Sequence, residues 1–123
     1  MYKVKSRPWP EILRFYRSMA NEHGHKWLIP MAELVEQIGA ADYARKVYGA
    51  ASHAQLRVSY LPEFDPDEEV LSVDLDPKSG QFEFEYQETA SPLYKRWKKT
   101  CSADEAFPAF NRFLKLKKWF PVE

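Results

Sequence analysis

From Leu71 to Gln87 the side chains alternate with a period of two, and the alternation is broken once, by Asp76-Pro77-Lys78-Ser79-Gly80. Leu71, Val73 and Leu75 are separated by Ser72 and Asp74, and Phe82, Phe84 and Tyr86 by Glu83 and Glu85. Successive side chains of a strand point to opposite faces, so each run gathers its apolar residues on one side. In the interruption, proline presets φ and glycine accepts φ > 0, the chemistry of a tight turn. The pattern predicts an antiparallel hairpin with one buried face and one wet face. Whatever else the chain builds has to cover Phe82, Phe84 and Tyr86.

The preceding residues carry a period near 3.6. Trp9, Ile12, Leu13, Tyr16, Met19 and Ala20 fall on one face of a helix over about 10–21, with Pro10 in its first turn and Gly24 as a left-handed stop. Met31, Leu34, Val35 and Ile38 define a second helix over about 30–38, started by Pro30 and ended by Gly39. Tyr43, Ala44, Val47 and Tyr48 suggest a short third helix over about 41–48, stopped at Gly49. Leu56, Val58 and Tyr60 then alternate with Arg57 and Ser59 as a first strand over about 55–61, followed by strands over about 70–75 and 81–87. Residues 62–69 form an acidic loop with two prolines, which a central strand does not tolerate.

Residues 93–100 read two ways. Ser91-Pro92 is able to cap a helix carrying Leu93, Tyr94, Trp97 and Cys101, and the same stretch suits a lysine-rich edge strand. The strand is favoured. Ser102 and Glu105 have the spacing of a capping box, which opens a C-terminal helix over about 103–118. Phe107, Phe110, Phe113 and Leu114 face inward in that helix, with Trp119 a further candidate; Pro108 kinks it or marks its start. Helices first, an antiparallel meander of three or four strands, then a closing helix make an α+β class, with helices covering one face of the sheet. At 123 residues the expectation is a single domain, 1–123, able to bury one core without staples. The four Trp, seven Tyr and eight Phe make that core one of rings more than of aliphatic layers.

Charge is balanced overall but not along the chain. Residues 56–90 hold ten acids against two bases, residues 91–123 eight bases against three acids, and residues 1–55 eight bases against five acids. A balance of zero argues against a dedicated nucleic-acid binder, which carries a basic excess. One cysteine, Cys101, excludes an internal disulfide and fits a reducing compartment. No charged-then-apolar leader opens the sequence, and no run approaches the roughly 18 apolar residues of a membrane span. The expected location is the cytoplasm.

Two charged constellations stand out. Glu63, Asp65, Asp67, Glu68 and Glu69 lie within seven residues. Such density attracts a basic partner and raises its on-rate; it also suits a solvated connection that keeps a sheet edge from pairing. The glycine and distant glutamate of a calcium loop are missing. Lys95, Arg96, Lys98 and Lys99 surround Trp97. Arg96, Trp97 and Lys98 are the candidates for gripping single-stranded nucleic acid by stacking and phosphate contacts. A simpler arrangement sets these cations across a sheet from Glu83 and Glu85.

Catalytic chemistry finds little footing. His23, His25 and His53 with Cys101 do not have metal-ligand spacing. No oxyanion segment accompanies Cys101, and no glycine-rich phosphate loop occurs. The expectation is therefore no catalytic residue, no metal and no cofactor. The leading reading is a small protein-interaction module, an inhibitor or immunity-type protein being one form, that binds a basic partner through the acidic loop. The alternatives are a nucleic-acid accessory protein and a small enzyme with a pocket near His23, His25 or Cys101. Nucleic acid is the less favoured partner, a membrane is not expected, and a bare strand edge leaves a homo-oligomer open.

Overall fold

The computed structural model of the chain describes residues 3–64, 70–88 and 95–117, with the backbone alone at 87, 88, 95, 96 and 117. In chain order its elements are β1 (Val4–Lys5), α1 (Trp9–Asn21), a 3-10 turn (Lys26–Leu28), α2 (Ile29–Ala40), β2 (Tyr48–Ser52), β3 (Gln55–Ser59), β4 (Glu63–Phe64), β5 (Leu71–Leu75), β6 (Phe82–Glu88), β7 (Lys95–Cys101) and α3 (Ala103–Lys117). The main sheet is antiparallel and five-stranded, in the order β2-β3-β5-β6-β7. A two-stranded sheet, β1-β4, stands apart from it. The class is α+β, and the helices cover one face of the main sheet.

The β5–β6 hairpin forms as its alternation requires. Phe82 and Phe84 are fully buried and Tyr86 is buried, while Glu83 between them is exposed. Leu71 pairs with Tyr86, Val73 with Phe84 and Leu75 with Phe82, so the two apolar rows share one face. Burying a side chain of this kind stabilises the fold by about 1.5–3 kcal/mol. Gly80 closes the turn at φ 73°, and the Asp76 carboxylate accepts the Ser79 hydroxyl at 2.6 Å and the Lys78 N–H at 3.2 Å.

α1 buries Trp9, Ile12, Tyr16 and Ala20, and α2 buries Met31, Ala32, Leu34, Val35 and Ile38. Gly24 takes φ 74° just past α1, the left-handed position that ends a helix. α2 runs one residue beyond Gly39 rather than stopping at it. α3 starts at Ala103 and continues through Pro108, burying Ala106, Ala109, Phe110, Phe113 and Leu114, with Phe107 half-buried. Apart from Ala20, the buried side chains among these belong to one core cluster with the inner face of the sheet, and Phe107 packs against it. The ring content of that core is visible in its contacts. Phe82 and Phe84 stack at 6.3 Å, and Phe113 meets Tyr86 at 5.2 Å and Trp97 at 5.0 Å between centroids.

The expected helix over 41–48 is not formed. Residues 42–46 are turns, and Tyr48 already belongs to β2, so Gly49 lies inside a strand instead of ending a helix. The physical reason is Trp9. Its indole N–H lies 3.0 Å from the Val47 carbonyl and 3.2 Å from that of Ala44, the acceptor that a helix over 41–48 would have kept for the Tyr48 N–H. Its ring lies over Gly49, where an added Cβ would sit 2.6 Å from the indole edge. Only glycine admits so close an approach. The sheet therefore has one more strand on this side than the meander read from the sequence.

The segment 62–69 is not loop throughout either. Lys5 pairs with Glu63 and Val4 with Phe64, and the Ser6 N–H donates to the Pro62 carbonyl at 2.9 Å. Phe64 and Val70 are buried with Ala50, and Val4 packs beside them, in a second, smaller apolar cluster. Ala50 pairs with Arg57, so this cluster sits on the face of the sheet turned away from the helices. Residues 93 and 94 of the expected edge strand, and residues 118 and 119 of the expected final helix, lie outside the described residues.

Candidate interaction surfaces

The acidic segment begins within β4, at Glu63. Glu63 is exposed and stands opposite Lys5 in the β1-β4 pair, so a cation already faces it across the strands. Asp65, Asp67, Glu68 and Glu69 lie outside the described residues. What is described is how the chain enters and leaves that run. Phe64 on one side is 3% exposed and Val70 on the other 7%, and both belong to the same cluster with Ala50. Four carboxylates therefore occupy the five residues between two apolar anchors held against one patch of sheet. The composition of the run was legible in the sequence, but its anchors were missed. The signal was there: Phe64 and Val70 are the apolar residues that bracket the charges.

The basic segment is an edge strand. In β7, Arg96 pairs with Gln87, Trp97 with Tyr86 and Lys98 with Glu85. Trp97 and Lys98 are consecutive in a strand and so face opposite sides. Trp97 is half-buried against Phe113 of α3, on the helix side, while Lys98 is exposed on the other. Trp97 and Lys98, two of the three candidates for gripping a nucleic acid, do not present the ring and the cation on one surface. The expected match of cations to Glu83 and Glu85 holds at one position of the two. Glu85 stands opposite Lys98, but Glu83 stands opposite Thr100, and Lys99 opposite Phe84. Alternation alone carried this information, because Trp97 shares its parity with buried Cys101 and not with Lys98.

Cys101 and the histidines do not assemble. Cys101 is buried at the end of β7. Burial first, and the charge of Glu105 second, push its thiol up against the opposing pull of Lys99 and Arg112. A nucleophilic cysteine needs the opposite bias. His23 and His25 are exposed beyond α1, and His53 is exposed in the two-residue turn between β2 and β3 at φ 56°. Among the described residues no three His, Cys, Asp or Glu side chains are placed to hold a metal ion.

Two phenols are tied into the core. Tyr16 donates to the Ala54 carbonyl at 3.3 Å, and Tyr43 donates to Asn111 of α3. Burial raises both pKa values, with the charge of Asp74 adding to the effect at Tyr16. At the exposed β5–β6 turn the Ser79 hydroxyl, and then the Lys78 N–H, hold the Asp76 carboxyl below its usual range. Two shallow clefts flank these elements. One, of about 460 Å³, runs along Lys3, Lys5 and Arg7 over Ala50 and Ala51. The other, of about 340 Å³, lies between Asp74, Asp76, Glu83 and Thr100. In the first, Arg7 is paired with Glu11 at 3.1 Å and Lys5 stands opposite Glu63. No helix among the described residues is long and apolar enough to cross a membrane. No protein-family model, curated protein or solved structure matches the chain.

Proposed function

We propose that the chain is a protein-interaction module that binds a basic partner through the acidic segment Glu63–Glu69, as an inhibitor or immunity-type protein does. The observation that carries the reading is the pair of anchors. Phe64 and Val70 flank the run and belong to the same small cluster, so the residues at its two ends are held together before any partner arrives. A segment whose ends are already fixed has less conformational freedom to lose on binding. Lys5 faces Glu63, which leaves Asp65, Asp67, Glu68 and Glu69 as the carboxylates through which the segment attracts a cationic surface. Attraction of this kind raises the association rate and fades as salt screens it.

The test is charge reversal at Asp65, Asp67 and Glu68 in the full chain, with wild type and variant used as bait side by side at low and moderate salt. The reading expects a basic protein held by the wild type, released as salt rises and lost from the variant, while both baits unfold at the same temperature. Retention of the same proteins by the variant would contradict it.

A further inference from the structure

We propose that the outer edge of β7 docks an extended acidic segment of another protein, which joins the main sheet as a sixth strand. This surface is separate from the acidic segment and stands or falls without it.

β7 is the last strand of the sheet, and among the described residues nothing pairs with its outer side. It is seven residues long, its register with β6 is unbroken from Lys95 to Cys101, and it contains no proline. An edge of this kind leaves alternate N–H and C=O groups pointing outward, a template for one more strand. Bulges and prolines, two usual ways of spoiling such a template, are not used here. Charge is what this edge has instead: Lys95, Arg96, Lys98 and Lys99 are four of its seven residues.

That charge selects the occupant. A second copy pairing antiparallel about Lys98 would set lysine against lysine, and like charges directly opposite one another destabilise a sheet. The basic edge therefore rejects its own copy. An acidic strand meets the reverse condition, and β6 displays the match on the inner side of the same strand. There a glutamate, Glu85, stands opposite Lys98, and a ring, Tyr86, stands opposite Trp97. An incoming strand that alternates acids with apolar residues repeats this pattern. Its acid faces Lys98 on the wet side, and its apolar residue meets the half-buried Trp97 beside Phe113. Main-chain bonds supply the docking, and the alternation supplies the specificity.

The experiment uses the isotopically labelled full chain and a blocked peptide of about eight residues alternating glutamate and valine, long enough to span a strand. Two companions complete the set: the same peptide with every second backbone nitrogen methylated, and a lysine–valine peptide. The expected result is that chemical-shift changes and slowed amide exchange concentrate in Lys95–Cys101. Methylation, which deletes the strand bonds but keeps the charge, weakens binding by about tenfold or more. Lys98→Glu lowers affinity for the acidic peptide and raises it for the lysine peptide. Equal binding of the methylated peptide, shifts centred on Lys3–Arg7, indifference to Lys98→Glu, no binding of the acidic peptide, or a β7-mediated dimer without peptide would each overturn the proposal.

Discussion

At one side of the sheet, β2 is bridged at Gly49 by the chain's own N-terminal segment: the Arg7 N–H donates to the Gly49 carbonyl at 2.9 Å, and the Trp9 ring lies over Gly49. At the other side, β7 offers an unbroken outer row of seven residues, four of them basic. Both strands face the same difficulty, unsatisfied backbone groups at the end of a sheet. β2 meets it with packing, which ties the edge to the core and makes it intolerant of change. β7 meets it with charge, which leaves the edge tolerant of change and selective about company. The difference predicts that substitutions at β2 disturb stability, and that those at β7 disturb recognition.

The largest effect is expected at Gly49→Ala. The new methyl group has no room beneath an indole held by two carbonyls, and a clash of this kind costs about 1–3 kcal/mol, here toward the upper end. Urea unfolding measures it, and a loss below about 0.5 kcal/mol would break the contrast between the edges. Trp9→Phe comes next. It keeps a ring over Gly49 but removes the N–H that serves Val47 and Ala44, so a loss of about 1–2 kcal/mol is expected in the same assay.

At β7, Lys98→Glu places a like charge opposite Glu85 and should destabilise by no more than about 1 kcal/mol, while Lys98→Thr should stay within about 0.5 kcal/mol. Thermal melts of the two variants sharpen the comparison, since a large loss in either would mean that this edge, too, is built into the core.

The smallest effect belongs to the turn that joins β5 to β6, the strand beside β7. The Asp76 carboxyl is held below its usual range in the folded state, so the stability it contributes is present above the unfolded value of about 3.9. That stability is lost as pH falls through the lowered folded value. Asp76→Asn has no such increment to lose. Its melting temperature should fall less steeply than that of the wild type below about pH 4, and parallel curves would remove the assignment.

The regular parts of this fold were legible because the buried face and the period agreed. Phe82, Phe84 and Tyr86 alternate with acids, and Ile12, Tyr16 and Ala20 repeat at helical spacing, so one pattern reports both element and burial. The stretch 41–52 was misread because its element is decided from outside. Tyr43, Ala44, Val47 and Tyr48 imitate a helix, and Gly49-Ala50-Ala51-Ser52 has little strand propensity of its own. Trp9 settles the matter by occupying two carbonyls and covering the glycine, a contact between residues forty positions apart in sequence. The β1-β4 pair was invisible for a plainer reason, because two residues on each side carry no period.

The candidate surfaces divide the same way. The acidic and basic runs are matters of composition and could be read directly. Which side of β7 Trp97 takes follows from strand parity once that strand is granted. That Phe64 and Val70 share a cluster with Ala50 depends on a strand the sequence did not reveal.

Residue-resolved amide hydrogen exchange on the free protein, repeated with the acidic peptide, compares the two edges most directly. In the free protein the Arg7 amide should be protected by its bond to Gly49, while one alternate set of amides along β7 exchanges orders of magnitude faster than the set facing β6. With the peptide bound, that fast set should slow. Uniform protection along β7 in the free protein, or an Arg7 amide that exchanges as fast as an open chain, would contradict the account.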